Sequence, residues 1–359
     1  MDRHVIDTDF WNGRRVFLTG HTGFKGAWLT LLLKRLGARV TGFALAPERE
    51  QDLFEVANVR SALHRHATGD VRNLDQLATC MRAAEPEIVL HLAAQSLVRL
   101  SYEEPVSTYA TNVMGTVHVL EAVRACPDTR ATIVVTSDKC YENAEWIWGY
   151  RETDRLGGHD PYSNSKGCAE LVTASYRKSF FPPGGSSHVA SARAGNVIGG
   201  GDWARDRLVP DAIRAFMADQ TVRIRNPNAI RPWQHVLDPI SGYLVLAQRV
   251  YQDGSKHADG WNFGPSAASE VPVSRIISRL VQLWGRSASW QVDGGEHPHE
   301  ASYLKLDCSK ATSQLNWKPV LDLEKSLALT ADWYRAFQNK EDMRAVTEEQ
   351  IDDFLRQAS

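Results

Sequence analysis

Residues 15–26 read RVFLTGHTGFKG, in which a short apolar run leads directly into a loop with three glycines. The run 15–19 predicts a strand, and residues 26–36 predict a helix because leucines recur there at helical spacing. The glycines permit a sharp turn, a close approach of pyrophosphate and tight packing of helix on strand. The helix N-terminus adds unpaired N–H groups, so dinucleotide binding is favoured over a plain turn. The expected contacts are Gly20, Thr22, Gly23, Phe24, Lys25 and Gly26.

The composition excludes several classes of protein. The chain has 359 residues, which suggests two domains or one large fold with a lobe. Its net charge of -2 argues against nucleic acid or a membrane surface as partner. No apolar run reaches the roughly 18 residues that span a bilayer, and the N-terminal residues 1–12 lack an export signal. The cysteines are odd in number and lack metal-ligand spacing, so we expect no metal, reduced thiols and a cytoplasmic location.

Strand and helix patterns alternate through the first half of the chain. Further strands are predicted at 40–44, 87–93, 132–137 and 189–193, and further helices at 106–125 and 161–181. Near-continuous apolar strands that alternate with helices predict an α/β fold with a parallel sheet covered on both faces. We expect a dinucleotide-binding domain at 1–195, with chain crossings from the later half. A mainly substrate-binding lobe should follow at 196–340, and a helix or tail at 341–359.

The end of the second predicted strand lacks an acidic residue. An Asp or Glu at this place commonly binds the adenosine ribose hydroxyls of a dinucleotide. This chain reads FALA at 43–46, and both Glu48 and Arg49 come late. Because no nearby basic residue clearly suits a 2′-phosphate, NAD is the expected cofactor. The small residues Ala93 and Ala94, after the strand at 87–93, should let it approach the sheet edge.

Tyr162 and Lys166 form a Tyr-x-x-x-Lys pair in the helix predicted at 161–181. Residues four apart lie on one face of a helix, and an ammonium beside a phenol lowers its pKa and makes a phenolate base accessible. Such a pair also arises by chance on helix surfaces. The dinucleotide loop and the strand end Thr136-Ser137-Asp138 upstream favour the catalytic interpretation over a surface pair.

Several segments resemble those of the extended short-chain dehydrogenases that act on nucleotide sugars, the NAD-dependent epimerase/dehydratase family. The segments are HLAAQ at 91–95, TNVMGT at 111–116, YSNSK at 162–166, RAGNV at 193–197, RLVP at 207–210, RPWQHV at 231–236 and DCSK at 307–310. The resemblance runs from about residue 10 to residue 333. It implies a Rossmann-type doubly wound parallel sheet with a smaller C-terminal α/β substrate lobe.

The resemblance also implies which residues contact cofactor and substrate. Asp70 would accept from the adenine amine, although a plain turn acid is the alternative. Arg231 would grip a diphosphate, for which a guanidinium fork is suited, although a structural arginine in an aromatic cluster is the alternative. Implied cofactor contacts beyond the loop are Asp70, Val71, Leu92, Ala93, Ala94, Thr136, Tyr162 and Lys166. Implied substrate contacts are Gln95, Asn196, Arg207, Leu208, Arg231, Trp233 and His235.

The segment TSDKCY at 136–141 distinguishes among members of this family. The sugar 4,6-dehydratases carry Thr-Asp-Glu there, and this chain has Ser-Asp-Lys. The insert EWIWGYR at 145–151 and the string EHPHEA at 296–301 also resemble dehydratases. The resemblance implies a lyase that removes water from a nucleotide-activated glucose, with CDP-glucose as the expected substrate. Alternatives are a 4-epimerase, a dehydratase of another nucleotide-glucose, and a regulatory dinucleotide-binding protein without turnover, although such proteins typically lose the Tyr or Lys retained here.

The implied chemistry assigns a role to each catalytic residue. Tyr162 would take the proton from O4 during C4 oxidation, helped by Lys166, and Asp138 would protonate O6 so that water leaves. Ser137 would hydrogen-bond O4. Lys139 either removes the C5 proton as a neutral amine or stays charged and stabilises the enolate, and the sequence leaves both open. The 4-keto-6-deoxy product would serve the synthesis of cell-surface polysaccharide such as O-antigen.

Two predicted helices carry apolar residues beyond one core stripe. These residues are Val113, Val117 and Leu120 in the helix at 106–125, and Ala169, Val172 and Tyr176 in the helix at 161–181. Two such helices from each subunit could form a four-helix interface. We therefore expect a homodimer, with internal packing of both faces as the alternative.

Overall fold

The computed structural model describes residues 6–285, 288–295 and 303–358. Its strands are β1 Arg15–Thr19, β2 Arg39–Ala44, β3 Arg65–Thr68, β4 Ile88–His91, β5 Ala131–Val135, β6 His188–Ala194, β7 Asn196–Ile198, β8 Val222–Ile224, β9 Ile230–His235, β10 Gly260–Phe263, β11 Glu270–Pro272 and β12 Trp290–Val292. The string at 296–301 that resembles dehydratases lies outside the described residues.

Helices cover the strands and connect them. They are α1 Thr8–Trp11, α2 Phe24–Arg35, α3 Leu53–Val56, α4 Leu74–Ala84, α5 Val98–Glu103, α6 Pro105–Tyr109, α7 Gly115–Arg124, α8 Pro161–Phe180, α9 Leu208–Met217, α10 Leu237–Asp253, α11 Val273–Trp284, α12 Ser309–Gln314, α13 Leu323–Gln338 and α14 Met343–Ala358. None of the described helices is long and apolar enough to cross a membrane.

The central sheet has seven strands in the order β10-β6-β5-β4-β1-β2-β3, and every pairing in it is parallel. Strand β1 lies in the middle, with Val16 opposite Val40 on one side and Ile88 on the other. The strand order reverses direction between β1 and β4. In open parallel sheets ligands bind at the carboxyl ends of the strands at this reversal point. The predicted doubly wound α/β fold is confirmed.

Alternation along the strands divides the core between the two faces of the sheet. Val16 and Leu18 point to the face covered by α2 and α10, whereas Phe17 points to the face covered by α4 and α7. All three side chains are at most 1% exposed. Because both faces are covered, the strands read as nearly continuous apolar runs rather than as alternating patterns.

One strand was not predicted, and several predicted bounds differ from the observed ones. The sequence analysis did not predict β3, because the edge strand Arg65–Thr68 is polar and carries no apolar run. The strand predicted at 87–93 ends at His91. The helix predicted at 106–125 begins at Pro105 and contains a π-turn at Ala110–Met114, which turns Asn112 into the protein interior.

The later half of the chain builds a smaller lobe and also returns to the central sheet. The lobe has a three-stranded sheet, β11-β9-β7, and a two-stranded sheet, β12-β8. Strand β10 pairs with β6 at the sheet edge, and α10 packs on β5 and β6. The last helix, α14, packs on α13 and α2, where Arg35 bonds Asp352. The chain after residue 195 therefore contributes to both regions.

The apolar residues proposed for a helix–helix interface do not all face outward. Leu120 is 0% exposed in the core on the α4 and α7 face of the sheet, and Ala169 is 2% exposed. The outward-facing apolar residues on these helices are others: Val106, Tyr109, Met114, Leu171 and Phe180. An apolar helical face does exist there, at different positions from those expected.

Asp238, in the first turn of α10, is a fully buried carboxyl group. One oxygen accepts the N–H groups of Val320 (2.6 Å) and Leu321 (3.4 Å), and the other has no partner among the described residues. Burial raises the pKa of Asp238 to about 7. The folded protein therefore keeps this proton at pH values at which the unfolded chain has lost it.

This difference makes stability depend on pH. From about pH 4 to about pH 7, deprotonation favours the unfolded state, so the wild-type protein should lose stability relative to Asp238→Asn as pH rises. The loss should total about 2–4 kcal/mol and then level off. Urea denaturation at several pH values measures it, with Asp353→Asn, whose side chain on α14 is 45% exposed, as control. Parallel curves for wild type and Asp238→Asn would contradict the prediction.

Candidate active site

A cavity of about 1920 Å³ opens at the carboxyl ends of the central strands. The strand-to-helix loops line one side of it and the smaller lobe lines the other. Among the residues singled out from the sequence, the cavity wall includes Gly20, Thr22, Gly23, Phe24, Lys25, Gly26, Asp70, Val71, Leu92, Ala93, Ala94, Gln95, Thr136, Ser137, Asp138, Lys139, Tyr162, Lys166, Asn196, Arg207, Leu208, Arg231 and Trp233. His235 is missing from this wall.

The glycine loop joins β1 to α2 and lies very close to the chain that follows β4. Gly20 has φ +77°, and a Cβ there would lie 2.6 Å from the backbone nitrogen of Ala93. A Cβ on Gly26 would lie 2.1 Å from the carbonyl oxygen of Gly20. Helix α2 begins without a side-chain cap at Gly23. The loop therefore has the close approach and the uncapped N–H groups that a pyrophosphate needs.

The segments that follow β2 and β3 line the cavity beside the glycine loop. The Thr22 hydroxyl donates to the Leu45 carbonyl at 2.9 Å, which joins the glycine loop to the segment after β2. Arg49 also reaches the cavity wall, where it pairs with Asp52. Asp70 accepts from the Arg72 side chain at 2.6 Å, and this bond holds the pKa of Asp70 below its usual range. The Asp70 carboxylate is therefore ionised and fixed in direction.

Tyr162 and Lys166 lie on the buried side of α8, where Asp160 caps the helix. The Tyr162 N–H donates to the Ser101 hydroxyl at 3.1 Å, which fixes the first turn. Burial raises the pKa of Tyr162 to about 12, although a hydrogen bond with Ser137 opposes the rise. Burial lowers the pKa of Lys166 to about 8. Burial dominates the Tyr162 pKa, and the lowering expected from the Lys166 ammonium stays a prediction.

Ser137 and Asp138 lie just after β5, where the chain enters a tight turn at Asp138–Cys140. The Ser137 hydroxyl donates to Asp138 Oδ1 at 3.0 Å. Asp138 is 1% exposed, and its Oδ2 has no partner among the described residues. A Cβ on Gly195 would lie 2.9 Å from this oxygen, so the glycine leaves space beside it. The site therefore holds a buried carboxyl oxygen that is available to a ligand.

Lys139 is half-buried on the cavity wall. Its ammonium forms no hydrogen bond or ion pair with any residue that the structure describes. The insert after it also reaches the cavity through Asn143 and Glu145, while Trp146 stacks on Tyr150 at 5.1 Å. Lys139 and the first residues of the insert thus border the part of the cavity where Asp138 lies.

Arg207 connects the smaller lobe to the central sheet. Its guanidinium bonds Asp202 at 2.9 Å and the Ser96 hydroxyl at 2.8 Å. The charge of Asp202 raises the pKa of Arg207, and burial opposes this rise. Burial and the charge of Arg207 lower the pKa of Lys25 to about 8. Several cations thus surround one region of the cavity.

Strand β9 brings Arg231 and Trp233 to the cavity wall. Arg231 Nη1 donates to the Ile230 carbonyl at 2.9 Å. The Trp233 indole N–H is buried and has no partner within the described part of the chain. Both side chains are placed where a ligand in the smaller lobe would contact them.

The expected substrate contact by His235 is not supported by the structure. His235 is 0% exposed and lies at the end of β9, where its ring meets the edge of Trp28 from α2 at 5.8 Å. Burial lowers its pKa to about 3. Arg231 and Trp233 reach the cavity wall. The last residue of β9, His235, lies beneath α2 instead, so it is a core residue.

Gln95 lines the cavity, but its side-chain amide is engaged within the protein. It donates to the Leu97 carbonyl (3.0 Å) and to the Thr108 hydroxyl (2.9 Å). The Gln95 N–H in turn donates to Asn112 Oδ1 at 2.9 Å, and Asn112 donates to the Ser165 hydroxyl at 2.8 Å. Gln95 therefore shapes the wall through its backbone and anchors the loop after β4.

Sequence reasoning did not identify Ser101, Asp202 or Glu170 as parts of the site. Ser101 fixes the start of α8, Asp202 orients Arg207, and Glu170 lies one turn after Lys166. Ser101 and Glu170 belong to no short recognisable motif, and Asp202 lies in a string at 193–203 that resembles dehydratases but assigns it no role. Only the i, i+4 spacing of Lys166 and Glu170 could have indicated a contact between neighbouring turns.

Comparison with known proteins gives a family and several relatives. The GDP-mannose 4,6 dehydratase family profile matches residues 17–330. A CDP-glucose 4,6-dehydratase of Salmonella typhimurium is 53% identical over 355 residues, which cover 98% of this chain and 99% of that protein. A dTDP-glucose 4,6-dehydratase of Xanthomonas campestris is 26% identical and covers 88% of this chain and 92% of its own length.

Solved structures share the fold. A UDP-glucose 4-epimerase of Stenotrophomonas maltophila with bound NAD superposes with a TM-score of 0.78 at 19% identity, covering 91% of this chain and 99% of its own. A dTDP-glucose 4,6-dehydratase of Bacillus anthracis in complex with NAD gives a TM-score of 0.76 at 20% identity, covering 92% and 99%. The profile spans most of the central sheet and the smaller lobe, and the chain belongs to the GDP-mannose 4,6 dehydratase family.

Proposed function

We propose that this protein is an NAD-dependent CDP-glucose 4,6-dehydratase, a lyase that forms CDP-4-dehydro-6-deoxy-glucose. The observation that carries the proposal is the buried Asp138 carboxyl, which lines the same cavity as Tyr162 and has one oxygen without a partner among the described residues. Loss of water needs an acid in addition to the base that C4 oxidation needs. The choice of CDP-glucose rests on the Salmonella relative, which is similar over almost the whole of both chains.

The residues around the glycine loop fit NAD. A side chain at Gly20 or Gly26 would overlap backbone atoms, so only glycine lets α2 begin this close to the chain after β4, and the uncapped start of α2 suits a pyrophosphate. Asp70 and Val71 would hold the adenine, while Ala93, Ala94 and Lys166 would border the ribose and nicotinamide. When bound, NAD would supply the hydride acceptor for C4 oxidation and, once reduced, the hydride donor for C6.

The chain's own residues move the protons of this reaction. Tyr162 takes the O4 proton while Ser137 holds O4 and the Lys166 ammonium approaches the phenol and favours its ionised form. Asp138 gives its proton to O6 as water leaves. Lys139 acts in the loss of the C5 proton, either as the neutral base that removes it or as the cation that stabilises the enolate. Arg207, Arg231 and the Trp233 N–H bind the diphosphate and sugar side of the substrate.

Incubation with CDP-, UDP- and dTDP-glucose in the presence of NAD tests this proposal. CDP-glucose should give the chromophore that 4-keto sugars develop in alkali, together with solvent deuterium at C5. A 4-epimerase would release an alcohol without the chromophore. A better rate with another nucleotide-glucose would overturn the choice of CDP-glucose and keep the reaction, and no turnover with any of them would overturn the enzyme assignment.

Tyr162→Phe should lower turnover about 100- to 10,000-fold, because it removes the proton acceptor while the ring keeps its packing. Substrate affinity should change little. The measurement is the initial rate of keto-sugar formation, together with the Kd for CDP-glucose by calorimetry. Tyr176→Phe, on the same helix but outside the cavity wall, is the matched control. A Tyr162→Phe enzyme with near wild-type turnover would show that another group is the base.

Lys139→Ala should block elimination more than C4 oxidation under either role of the lysine. Substrate and NAD should then give NADH and a 4-keto-glucose without 6-deoxy product or deuterium at C5. Absorbance of NADH and NMR of the sugar distinguish these species, and Lys178→Ala on the exposed end of α8 is the control. Formation of 6-deoxy product at the wild-type rate would leave Lys139 as a structural cation.

We further propose a homodimer that buries the exposed apolar face of α6 and α8. Val106 is 82% exposed and Leu171 58% exposed, and the two helices pack side by side. A second copy of the same face would cover both in a four-helix arrangement. Leu171→Glu should therefore halve the mass seen by light scattering, whereas Val292→Glu, on an equally exposed site of β12, should not. A wild-type monomer at micromolar concentration would contradict the proposal.

The cytoplasm is the compartment we propose for this reaction. The structure has all five cysteines as free thiols, some of them buried. Such thiols persist in a reducing compartment.

A further inference from the structure

Glu170 is a buried carboxylate at the centre of a hydrogen-bond network behind the catalytic pair. Its Oε1 accepts the Thr136 hydroxyl at 2.5 Å. Its Oε2 accepts the Ser191 hydroxyl and Arg193 Nη2, each at 2.7 Å. The side chains of Glu170 and Arg193 are 3% and 5% exposed. Burial alone would raise the pKa of Glu170, but Arg193 and these bonds hold it below its usual range, so the carboxylate is charged.

This network joins the elements that carry the catalytic groups. Glu170 belongs to the same helix as Tyr162 and Lys166, one turn after the lysine. Thr136, which it binds, directly precedes Ser137 and Asp138. Removing the carboxylate would therefore loosen the contact between α8 and the end of β5.

Arg193 extends the network to the turn that follows the catalytic residues. Its Nη1 donates to the Tyr141 hydroxyl at 2.7 Å, and that hydroxyl donates to Asn262 Oδ1 at 2.8 Å. Asn262 lies in β10, at the edge of the central sheet. The pair of Glu170 and Arg193 thus reaches from the catalytic helix to the last strand of the sheet.

Lys166 has a weak set of direct partners. Its Nζ donates to the Val135 carbonyl at 3.4 Å, and no carboxylate within the described residues forms an ion pair with it. Titratable groups face it from α8, from the turn after β5, from α2 and from β4: Glu170, Tyr162, Cys140, Lys25 and His91. Glu170 is the one ionised acid in this set. Burial lowers the pKa of Lys166, and the Glu170 charge opposes that effect.

We propose that Glu170 is a positioning residue for C4 oxidation, whose buried and fixed carboxylate, one turn after Lys166 on α8, keeps the Lys166 ammonium charged. The proposal rests on the proposed function for its kinetic consequence. It assigns Glu170 no contact with substrate or cofactor, because Glu170 is absent from the cavity wall. Hydrogen bonds from Arg193, Thr136 and Ser191 fix the position of the Glu170 carboxylate and therefore of its charge.

The test compares Glu170→Gln, which removes the charge, with Glu170→Asp, which retains it. The pKa of Lys166, measured by NMR on protein labelled at lysine Cε, should lie near 8 in the wild type and about one pH unit lower in Glu170→Gln. The signal is assigned with Lys166→Met. The alkaline limb of kcat should move to lower pH by the same amount with KM unchanged, and Glu170→Asp should restore both.

Glu87→Gln is the matched control. Glu87 is also held by an arginine, at 2.7 Å from Arg14 Nη1, but it precedes β4 and so lies at the amino end of the strands, away from the cavity at their carboxyl ends. It should leave the Lys166 pKa and the pH profile unchanged. If folded Glu170→Gln has the wild-type Lys166 pKa and alkaline limb, the proposal is overturned.

A second variant covers the case in which Glu170→Gln fails to fold because Arg193 is left as an unpaired buried charge. Glu170→Gln combined with Arg193→Met removes both charges and should show the same lowered Lys166 pKa, and a wild-type value there would also overturn the proposal. The titration needs no substrate. If the wild type does not convert CDP-glucose, the proposed function fails while the Lys166 measurement still decides the role of Glu170.

Discussion

The close approach of α2 to β1 and β4 is the constraint on which the rest of the structure depends. A side chain at Gly26 would overlap the Gly20 carbonyl, and one at Gly20 would overlap the backbone of Ala93. Because these contacts are between backbones, no repacking of side chains could relieve them. The same closeness sets the position of the helix N-terminus, the depth of the cavity and the direction in which the loop after β4 leaves the sheet.

Burial then determines the chemistry of the cavity. It lowers the pKa of both Lys25 and Lys166 to about 8 and raises the pKa of Tyr162 to about 12. A buried charge is costly unless it is paired, and the chain supplies the pairing unevenly. Arg207 has Asp202 at 2.9 Å, whereas one Asp138 oxygen has no partner among the described residues. In the cavity wall, Asp138 and the Trp233 indole therefore have bonding capacity that a substrate could engage.

Local patterns predicted the architecture and most of the cavity wall. The glycine loop and the apolar strands are continuous in sequence, so their structure follows from spacing and hydrophobicity. His235 could not be placed correctly, because a strand residue at the last register position can face a cavity or a neighbouring helix. The prediction that Leu120 lies in the helix–helix interface was wrong for a similar reason. Two faces of its helix are apolar, and only packing decides which of them is buried. Glu170 and Arg193 meet across 23 positions of sequence, and no local signal reports such a contact.

The return of β10 to the central sheet has a consequence for biosynthesis. Strand β6 pairs with β5 as soon as both have been made, but its other edge waits for Gly260–Phe263, about 65 residues later (195 to 259). At roughly 5–20 residues per second, a nascent chain carries that open edge for about 3–13 seconds. An unpaired strand edge is a template for association with other chains. During synthesis, the free edge of β6 is therefore a place at which association with other chains can begin.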